Sequence, residues 1–322
     1  MKWAIGLDVG GTKIAGALVS DTGEIRGYDT RPIPARGEPA IEAVLQMAKH
    51  FTGVARDQGC KLEGIGIAVP GAVDTKGIVL CAPNLEWENI PLKNLGEKSL
   101  GLTVEVELDV RAAALGVMLS DMGRDVRDFI YVTIGTGIGA GIVVGGELYR
   151  GYNSSSGEIG HCVLVEDGPS LSGCTQLRGC LEALASGPAI AKRARRIVAE
   201  TSVPSKLSET IDGDGNISCK SVFETALAGD YLAGEVLRRT AEYMGRGFSV
   251  LINILNPQKI IVGGGVVKGG GDFFLGLIRQ YTAQYTFHRA PKQTEIVLSN
   301  DIDRLPITGA ANLIFKRKKT VD

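Results

Sequence analysis

The hydrophobic and polar positions follow one order, apolar strands and then amphipathic helices, and the chain runs through this order twice. Trp3–Asp8, Ile14–Ser20 and Ile25–Thr30 predict three consecutive strands, and a helix with inward residues three and four apart follows Pro39. Phe129–Ile134 opens the second series. The repeated order predicts a duplicated α/β fold that binds its ligand between the two halves.

Two glycine-rich hairpins stand at matching points of the two series, each between two apolar strands. The turns are Gly10-Gly11-Thr12-Lys13 and Gly135-Thr136-Gly137, and Gly16 and Gly141 follow them at one constant offset. Glycine at such a turn lets backbone N–H groups approach an anion without an intervening Cβ, and we expect both turns to be strained. Asp8 is then expected near a metal, and two facing loops could hold a polyphosphate between two domains. The alternative for each turn alone is an ordinary hairpin.

A third glycine turn, Gly263-Gly264-Gly265, follows a predicted strand over Lys259–Val262. It does not continue as a dinucleotide-binding fingerprint, because Lys268 stands where the last glycine belongs. We expect this turn to line the same nucleotide, although a loose strand-to-helix turn remains open. Helices are predicted over Tyr231–Leu255 and around Phe273–Tyr285.

Asp109 stands where a strand over Thr103–Leu108 meets a helix. An aspartate there is typical of a helix N-cap, and also of a general base at the carboxyl end of a strand. Glu158 and His161 are three residues apart, with Cys162, Cys174 and Cys180 nearby, which permits a zinc site or scattered free thiols. These alternatives stay open at this point.

Composition excludes several classes of protein. The 322 residues suffice for two domains, and 44% hydrophobic with 22% charged residues is typical of a globular protein. A net charge of −1 gives no attraction to nucleic acid or to a membrane surface. No signal peptide or membrane-spanning run is apparent, so we expect a cytoplasmic protein whose six cysteines are free thiols or metal ligands.

Taken together, these segments resemble the ROK family of sugar kinases, within the actin-like ATPase superfamily. The segments are Leu7–Lys13, Ala82–Trp87 with Pro91-Leu92, Asp109–Gly116, Gly135–Gly139, Gly157–His161 and Gly179–Glu182. The resemblance covers nearly the whole chain. It implies a duplicated actin-like (ribonuclease H-like) two-domain ATPase fold with a cleft between domains, 1–118 plus 303–322 forming the small domain and 119–302 the large one.

The resemblance also implies an activity and its residues. The expected reaction is ATP-dependent phosphorylation of a hexose, glucose above all, at the 6-hydroxyl, with Mg²⁺ near Asp8. Asp109 is implied as the catalytic base. The implied sugar-binding residues are Asn84, Asp109, Glu158, His161 and Glu182; the nucleotide-binding residues are Asp8, Gly10, Gly11, Thr12, Lys13, Gly135, Thr136, Gly137, Gly264 and Gly265. The alternatives are an N-acetylmannosamine or N-acetylglucosamine kinase and a sugar-sensing protein without catalysis.

The chain departs from the family pattern near two of these sites. Leu108 stands where the family usually has asparagine before the catalytic aspartate, and Ser172 replaces one zinc cysteine with one residue inserted before Cys180. His161, Cys174 and Cys180 could still bind Zn²⁺, or the loop could be free of metal. The chain starts directly at the first strand, which disfavours the winged-helix repressors of the family. A homo-oligomer, dimer or tetramer, is expected.

Overall fold

The computed structural model describes residues 1–171, 177–287 and 294–317, and these residues divide into two compact units. One unit contains Met1–Tyr131, Gly141–Ser156 and the described residues from Asn300 onward. The other contains Val132–Ala140 and the described residues of Gly157–Ser299. The domain boundaries expected from the sequence stay a prediction.

The described residues form the predicted series of strands and helices together with further elements that the sequence pattern did not predict. The strands are β1 (Trp3–Val9), β2 (Lys13–Ser20), β3 (Ile25–Pro32), β4 (Leu62–Val69), β5 (Ala72–Val73), β6 (Val79–Ala82), β7 (Trp87–Ile90), β8 (Val104–Leu108), β9 (Phe129–Ile134), β10 (Ile138–Val144), β11 (Glu147–Tyr149), β12 (Lys259–Gly263) and β13 (Glu295–Leu298). The α-helices are α1 (Glu38–Asp57), α2 (Leu92–Leu100), α3 (Asp109–Val117), α4 (Leu181–Ala185), α5 (Gly187–Glu200), α6 (Cys219–Leu227), α7 (Tyr231–Leu255), α8 (Gly265–Tyr285) and α9 (Leu305–Arg317). The further elements are β5 to β7, α2, α4 and α6.

The first sheet has the strand order β3-β2-β1-β4-β8. β1 runs antiparallel to β2 and parallel to β4, and β4 runs parallel to β8. α9 packs so tightly on this sheet that a Cβ added to Gly66 would lie 1.7 Å from the carbonyl oxygen of Ala310. The buried Phe51 of α1 fills the space beside Gly16, where an added Cβ would lie 2.7 Å from the ring. At the edge of this closely packed sheet, β8 ends at Leu108 and α3 begins at Asp109.

The second sheet has the order β11-β10-β9-β12-β13, with β12 parallel to β13. A Cβ at Gly141 of β10 would lie 2.6 Å from the Cβ of Ala114 in α3. Gly16 and Gly141, which match in the repeat, thus both permit close packing. Strands β5, β6 and β7 form a small third sheet.

The predicted first three strands and the predicted helix over Tyr231–Leu255 are confirmed. α7 begins after Asp230, whose carboxylate accepts a hydrogen bond from the N–H of Ala233, and it ends at the left-handed Asn256. The helix predicted around Phe273 begins earlier, at Gly265, with a break at Gly271. No helix within the described ranges is long and apolar enough to cross a membrane.

Candidate active site

Asp109 is the first residue of α3, directly after the end of β8. The helix N-cap is Leu108, which provides no side-chain hydrogen bond, so the interpretation of Asp109 as the N-cap is wrong. Its carboxylate instead accepts a 2.6 Å hydrogen bond from the N–H of Val110. A negative charge in the first turn is stabilised by the helix dipole. The junction thus holds a carboxylate at the carboxyl end of a parallel strand.

Asp8, at the end of β1, lies in the electrostatic field of Asp109. Burial, followed by the charge of Asp109, raises the pKa of Asp8 from 3.8 to about 7, against the opposing effect of Lys13. Asp303, just before α9, contributes in the same direction. Three carboxylates and one ammonium group therefore act on one another in this part of the first unit.

Tyr131 of β9 also belongs to this group. Its side chain is buried, and burial together with the charges of Asp109, Asp8 and Asp303 raises the pKa of its phenol. The phenol is therefore neutral over the whole physiological pH range.

The first glycine turn is tight without left-handed backbone. The N–H of Gly10 donates to the carbonyl of Lys13 at 2.8 Å, and a Cβ added to Gly11 would lie 3.5 Å from the Cβ of Asn84. Gly11 and Asn84, from two separate segments of the sequence, are therefore neighbours.

The predicted strain is absent from both loops within the described residues. Gly10, Gly11, Gly135 and Gly137 all lack a positive φ. Left-handed glycines occur instead at the turns that follow, where Gly23 has a φ of 89° and Gly146 a φ of 85°. Both loops close through a backbone hydrogen bond, and in the second loop Gly135 N–H donates to the carbonyl of Gly137 at 2.9 Å.

A cavity of about 780 Å³ lies in the second unit, beside the second glycine turn. Gly135, Thr136 and Gly265, predicted from two distant segments, line it together. Its apolar wall includes Pro188 of α5 and Phe223 of α6. A cavity lined by glycine turns and by apolar side chains suits a ligand with a flat apolar part and a charged part.

Gly264 fixes the third glycine turn beside the second. It has a φ of 96° and caps α8, and a Cβ there would lie 2.3 Å from the carbonyl oxygen of Ile134. Because no other residue type tolerates both conditions, Gly264 brings the start of α8 against the end of β9.

Glu182 of α4 contacts the second glycine turn directly. Its Oε2 accepts a 2.7 Å hydrogen bond from the N–H of Ile138 and would lie 2.8 Å from a Cβ on Gly137. One carboxylate oxygen of this predicted sugar-binding residue therefore supports the turn.

Glu158 and His161 are adjacent on a 3₁₀ turn over Ile159–His161. Oε2 of Glu158 lies 3.6 Å from Nδ1 of His161, and the Glu158 side chain is half exposed. Nδ1 of His161 is buried without a hydrogen-bond partner among the described residues, whereas the Glu158 carboxylate is accessible to a ligand.

The zinc prediction falls partly outside the described residues, because Cys174 lies there. Cys180 is buried, and Cys162 is close enough for the charge of Cys180, after burial, to raise its pKa. No group of three or more potential His, Cys, Asp or Glu ligands occurs among residues 1–171, 177–287 and 294–317. A zinc site on His161, Cys174 and Cys180 stays a prediction.

Comparison with known proteins gives one family. The ROK family matches residues 4–317. The glucokinase of Halalkalibacterium halodurans is 33% identical over 327 residues, covering 100% of this chain and 97% of that protein. This chain belongs to the ROK family.

The structural comparison agrees with this family assignment. A ROK family glucokinase from Streptomyces griseus, in complex with glucose and AMPPNP, has a TM-score of 0.81, 33% identity and coverage of 98% of this chain and 99% of that chain. The ROK chain has the actin-like α/β fold expected from its sequence. The xylose repressor of Caldicellulosiruptor bescii is 29% identical over 316 residues, covering 97% of this chain and 77% of the repressor.

Sequence reasoning missed several residues that the structure brings to these sites. Asp303 and Tyr131 lie far in sequence from Asp109, and a single acid before a helix gives no signal of its own. Phe223 of the cavity wall lies on α6, a helix that the sequence pattern did not predict. Only the three-dimensional packing identifies them.

Proposed function

We propose that this ROK protein transfers the γ-phosphoryl group of ATP to the 6-hydroxyl of glucose, giving glucose 6-phosphate and ADP. The observation that carries the proposal is the cavity of about 780 Å³ lined jointly by Gly135, Thr136 and Gly265. Glycine loops at such a cavity leave room for phosphate oxygens against backbone N–H groups. The glucokinase relatives at 32–35% identity support the sugar.

Asp109 is the proposed general base. Its carboxylate accepts the proton of the sugar 6-hydroxyl while that oxygen attacks the γ-phosphorus and the bond to the β-phosphate oxygen breaks. It stands in the first turn of α3, where the helix dipole favours a negative charge. Phosphoryl transfer needs positioning and charge neutralisation more than covalent catalysis, which suits this small set of residues.

The polar side chains proposed to bind the sugar are those of Asn84, Asp109, Glu158, His161 and Glu182. Asn84 next to Gly11, and Glu158 next to His161, have polar groups suited to hydroxyls. Glu182, which holds the second glycine turn, would connect sugar binding to nucleotide binding.

Asp8 is the proposed carboxylate for Mg²⁺. Carboxylate oxygens are the protein ligands that Mg²⁺ prefers, and the ion commonly takes one or two of them with substrate phosphates. Burial, and after it the charge of Asp109, raises the pKa of Asp8, and a nearby cation would favour its charged form. When bound, the ion supplies positive charge that neutralises the phosphate oxygens.

Four further expectations remain proposals. They are zinc at His161, Cys174 and Cys180, a homo-oligomer, a cytoplasmic location, and the small domain at 1–118 plus 303–322 with the large one at 119–302. Metal analysis of protein purified without a chelator tests the first.

A sugar panel in a coupled ADP-release assay tests the function. Glucose should give the highest kcat/KM, ahead of mannose, N-acetylmannosamine and N-acetylglucosamine. Asp109→Asn should lose turnover with glucose while still binding it by calorimetry. ADP release that no sugar stimulates would contradict a kinase.

A sugar-responsive regulator is the second candidate, because xylose repressors align with almost all of this chain. Such a protein binds sugar and turns nothing over. Sugar binding by calorimetry without any product would favour it.

A further inference from the structure

A buried cluster of charged residues surrounds the junction that carries Asp109. Glu107 of β8 and Arg111 of α3 have side chains that are 4% and 1% exposed. Arg111 Nε lies 2.8 Å from Glu107 Oε1 as an ion pair, while its N–H does not point at that oxygen as a hydrogen bond would require. Arg150 Nε, just after β11, donates to Glu107 Oε2 at 2.7 Å. We call these three residues the Glu107 cluster.

The cluster joins the strand and the helix across Asp109. Glu107 precedes Asp109 by two residues and Arg111 follows it by two. Glu107 Oε1 also accepts from the N–H of Leu108 at 2.9 Å. The end of β8 and the first turn of α3 are therefore tied to each other through side chains, and the residue between them cannot turn independently.

The cluster also holds the segment that follows β11. Arg111 Nη1 donates to the carbonyl of Ser154 at 2.8 Å. Ser154 is buried with a φ of 62°, a left-handed conformation that is unfavourable for serine and persists only where its surroundings impose it. The chain continues from this segment into Gly157 and Glu158.

Stability alone does not explain these charges. Two apolar side chains of similar volume commonly stabilise a core as well as a buried ion pair does, because charges lose hydration on burial. Here Glu107 accepts from the backbone N–H of Leu108, next to the proposed base Asp109. Arg111 donates to the backbone carbonyl of Ser154, and Arg150 holds the Glu107 carboxylate. Such directed contacts fix geometry.

We propose that Glu107, Arg111 and Arg150 are positioning residues that hold the proposed base Asp109 in its reactive position and fix the backbone at Ser154 beside it in the first unit. The inference rests on the proposed function of Asp109. A displacement of about 1 Å at a reacting group can cost about 100-fold in rate. We therefore expect loss of a positioning residue to lower kcat.

Glu107→Gln and Arg111→Met test the inference in the parent chain and in the Asp109→Asn background. In the parent chain each should lower kcat about 10- to 100-fold, with the KM for ATP unchanged. In the Asp109→Asn background the same changes should have almost no further effect on the residual rate, because the positioned carboxylate is gone. Glu105→Gln is the matched control, since Glu105 lies on the same strand and pairs with Lys93 at 3.0 Å. It should leave kcat unchanged.

Three results would overturn the inference: normal kcat in folded Glu107→Gln, a loss of equal size in both backgrounds, or an equal loss in Glu105→Gln. If Arg111→Met does not fold, Arg150→Met replaces it, since the Arg150 side chain is 40% exposed. Failure of the proposed function is distinguishable, because no sugar would then stimulate ADP release by the parent chain. If only the role of Asp109 were wrong, Asp109→Asn alone would retain normal turnover.

Discussion

Asp109 can be altered without removing a helix cap, because it is the first residue of α3 and Leu108 is the N-cap. Asp109→Asn keeps an oxygen for the N–H of Val110 and loses the proton acceptor. Turnover should fall on the order of 10²–10⁴-fold, while loss of a charge at the helix start costs only about 0.3–1 kcal/mol. Steady-state kinetics and thermal unfolding measure the two effects.

The exposed Asp121 offers a control for this change. Asp121→Asn should leave both turnover and melting unchanged. If Asp109→Asn kept near-normal turnover, Asp109 would be a structural residue of the first turn and another group would have to accept the proton.

Asp8 should make the stability of the ligand-free protein depend on pH. Its pKa is about 7 in the folded chain and about 3.8 when unfolded. Between these values the folded state binds more protons, so the free energy of unfolding falls as pH rises, by at most about 1.4 kcal/mol per pH unit. Asp8→Asn should remove this contribution, which urea unfolding at about pH 4.5 and about pH 6.5 measures.

Asp57→Asn, at the exposed end of α1, is the matched control and should keep the slope of the parent protein. An unchanged slope in Asp8→Asn would mean that Asp8 is hydrated and is not held against Asp109.

The glycine turns can be tested as elements, because their glycines have different surroundings. A Cβ on Gly135 meets no atom within 4 Å, yet Gly135 lines the cavity. Gly135→Ala should therefore fold normally and raise the KM for ATP about tenfold, with the KM for glucose nearly unchanged. Gly264→Ala should instead destabilise the protein, because its Cβ would lie 2.3 Å from the Ile134 carbonyl oxygen.

Gly276→Ala is the control for these variants, since Gly276 is exposed within α8 and its Cβ would also meet no atom. It should stabilise the helix by about 1 kcal/mol and leave both KM values unchanged. An equal rise of both KM values in Gly135→Ala would argue against a nucleotide loop.

Among the elements, the sequence predicts α7 well and the start of α8 poorly. α7 has apolar residues at helical spacing between a capping Asp230 and a left-handed Asn256, so local signals agree. The first turns of α8 are rich in glycine, which opposes a helix. The glycine at position 270 is required by packing, because a Cβ there would lie 2.6 Å from the ring of Phe223. The sequence pattern does not show this contact between α8 and α6.

At the scale of the whole molecule, only those residues of the candidate site that lie in a recognisable short sequence motif could be predicted. The two glycine hairpins and Asp109 stand in such patterns. Glu107 and Arg111 are four residues apart, a spacing usually found in an exposed pair on a helix. Their burial, and the proximity of Asp303 to Asp8, depend on contacts between distant segments.

Binding of sugar should stabilise the whole molecule by mass action. Glucose at 100 times its dissociation constant should raise the free energy of unfolding by about 2.7 kcal/mol, if it binds only the folded state. Xylose lacks the 6-hydroxymethyl group and cannot be phosphorylated there, so it should stabilise less and release no ADP in a kinase of glucose. Asp109→Asn should retain stabilisation by glucose without turnover. Thermal unfolding with each sugar measures the stabilisation, and the ADP-release assay measures the turnover. Stronger stabilisation by xylose than by glucose, without turnover, would favour a regulator.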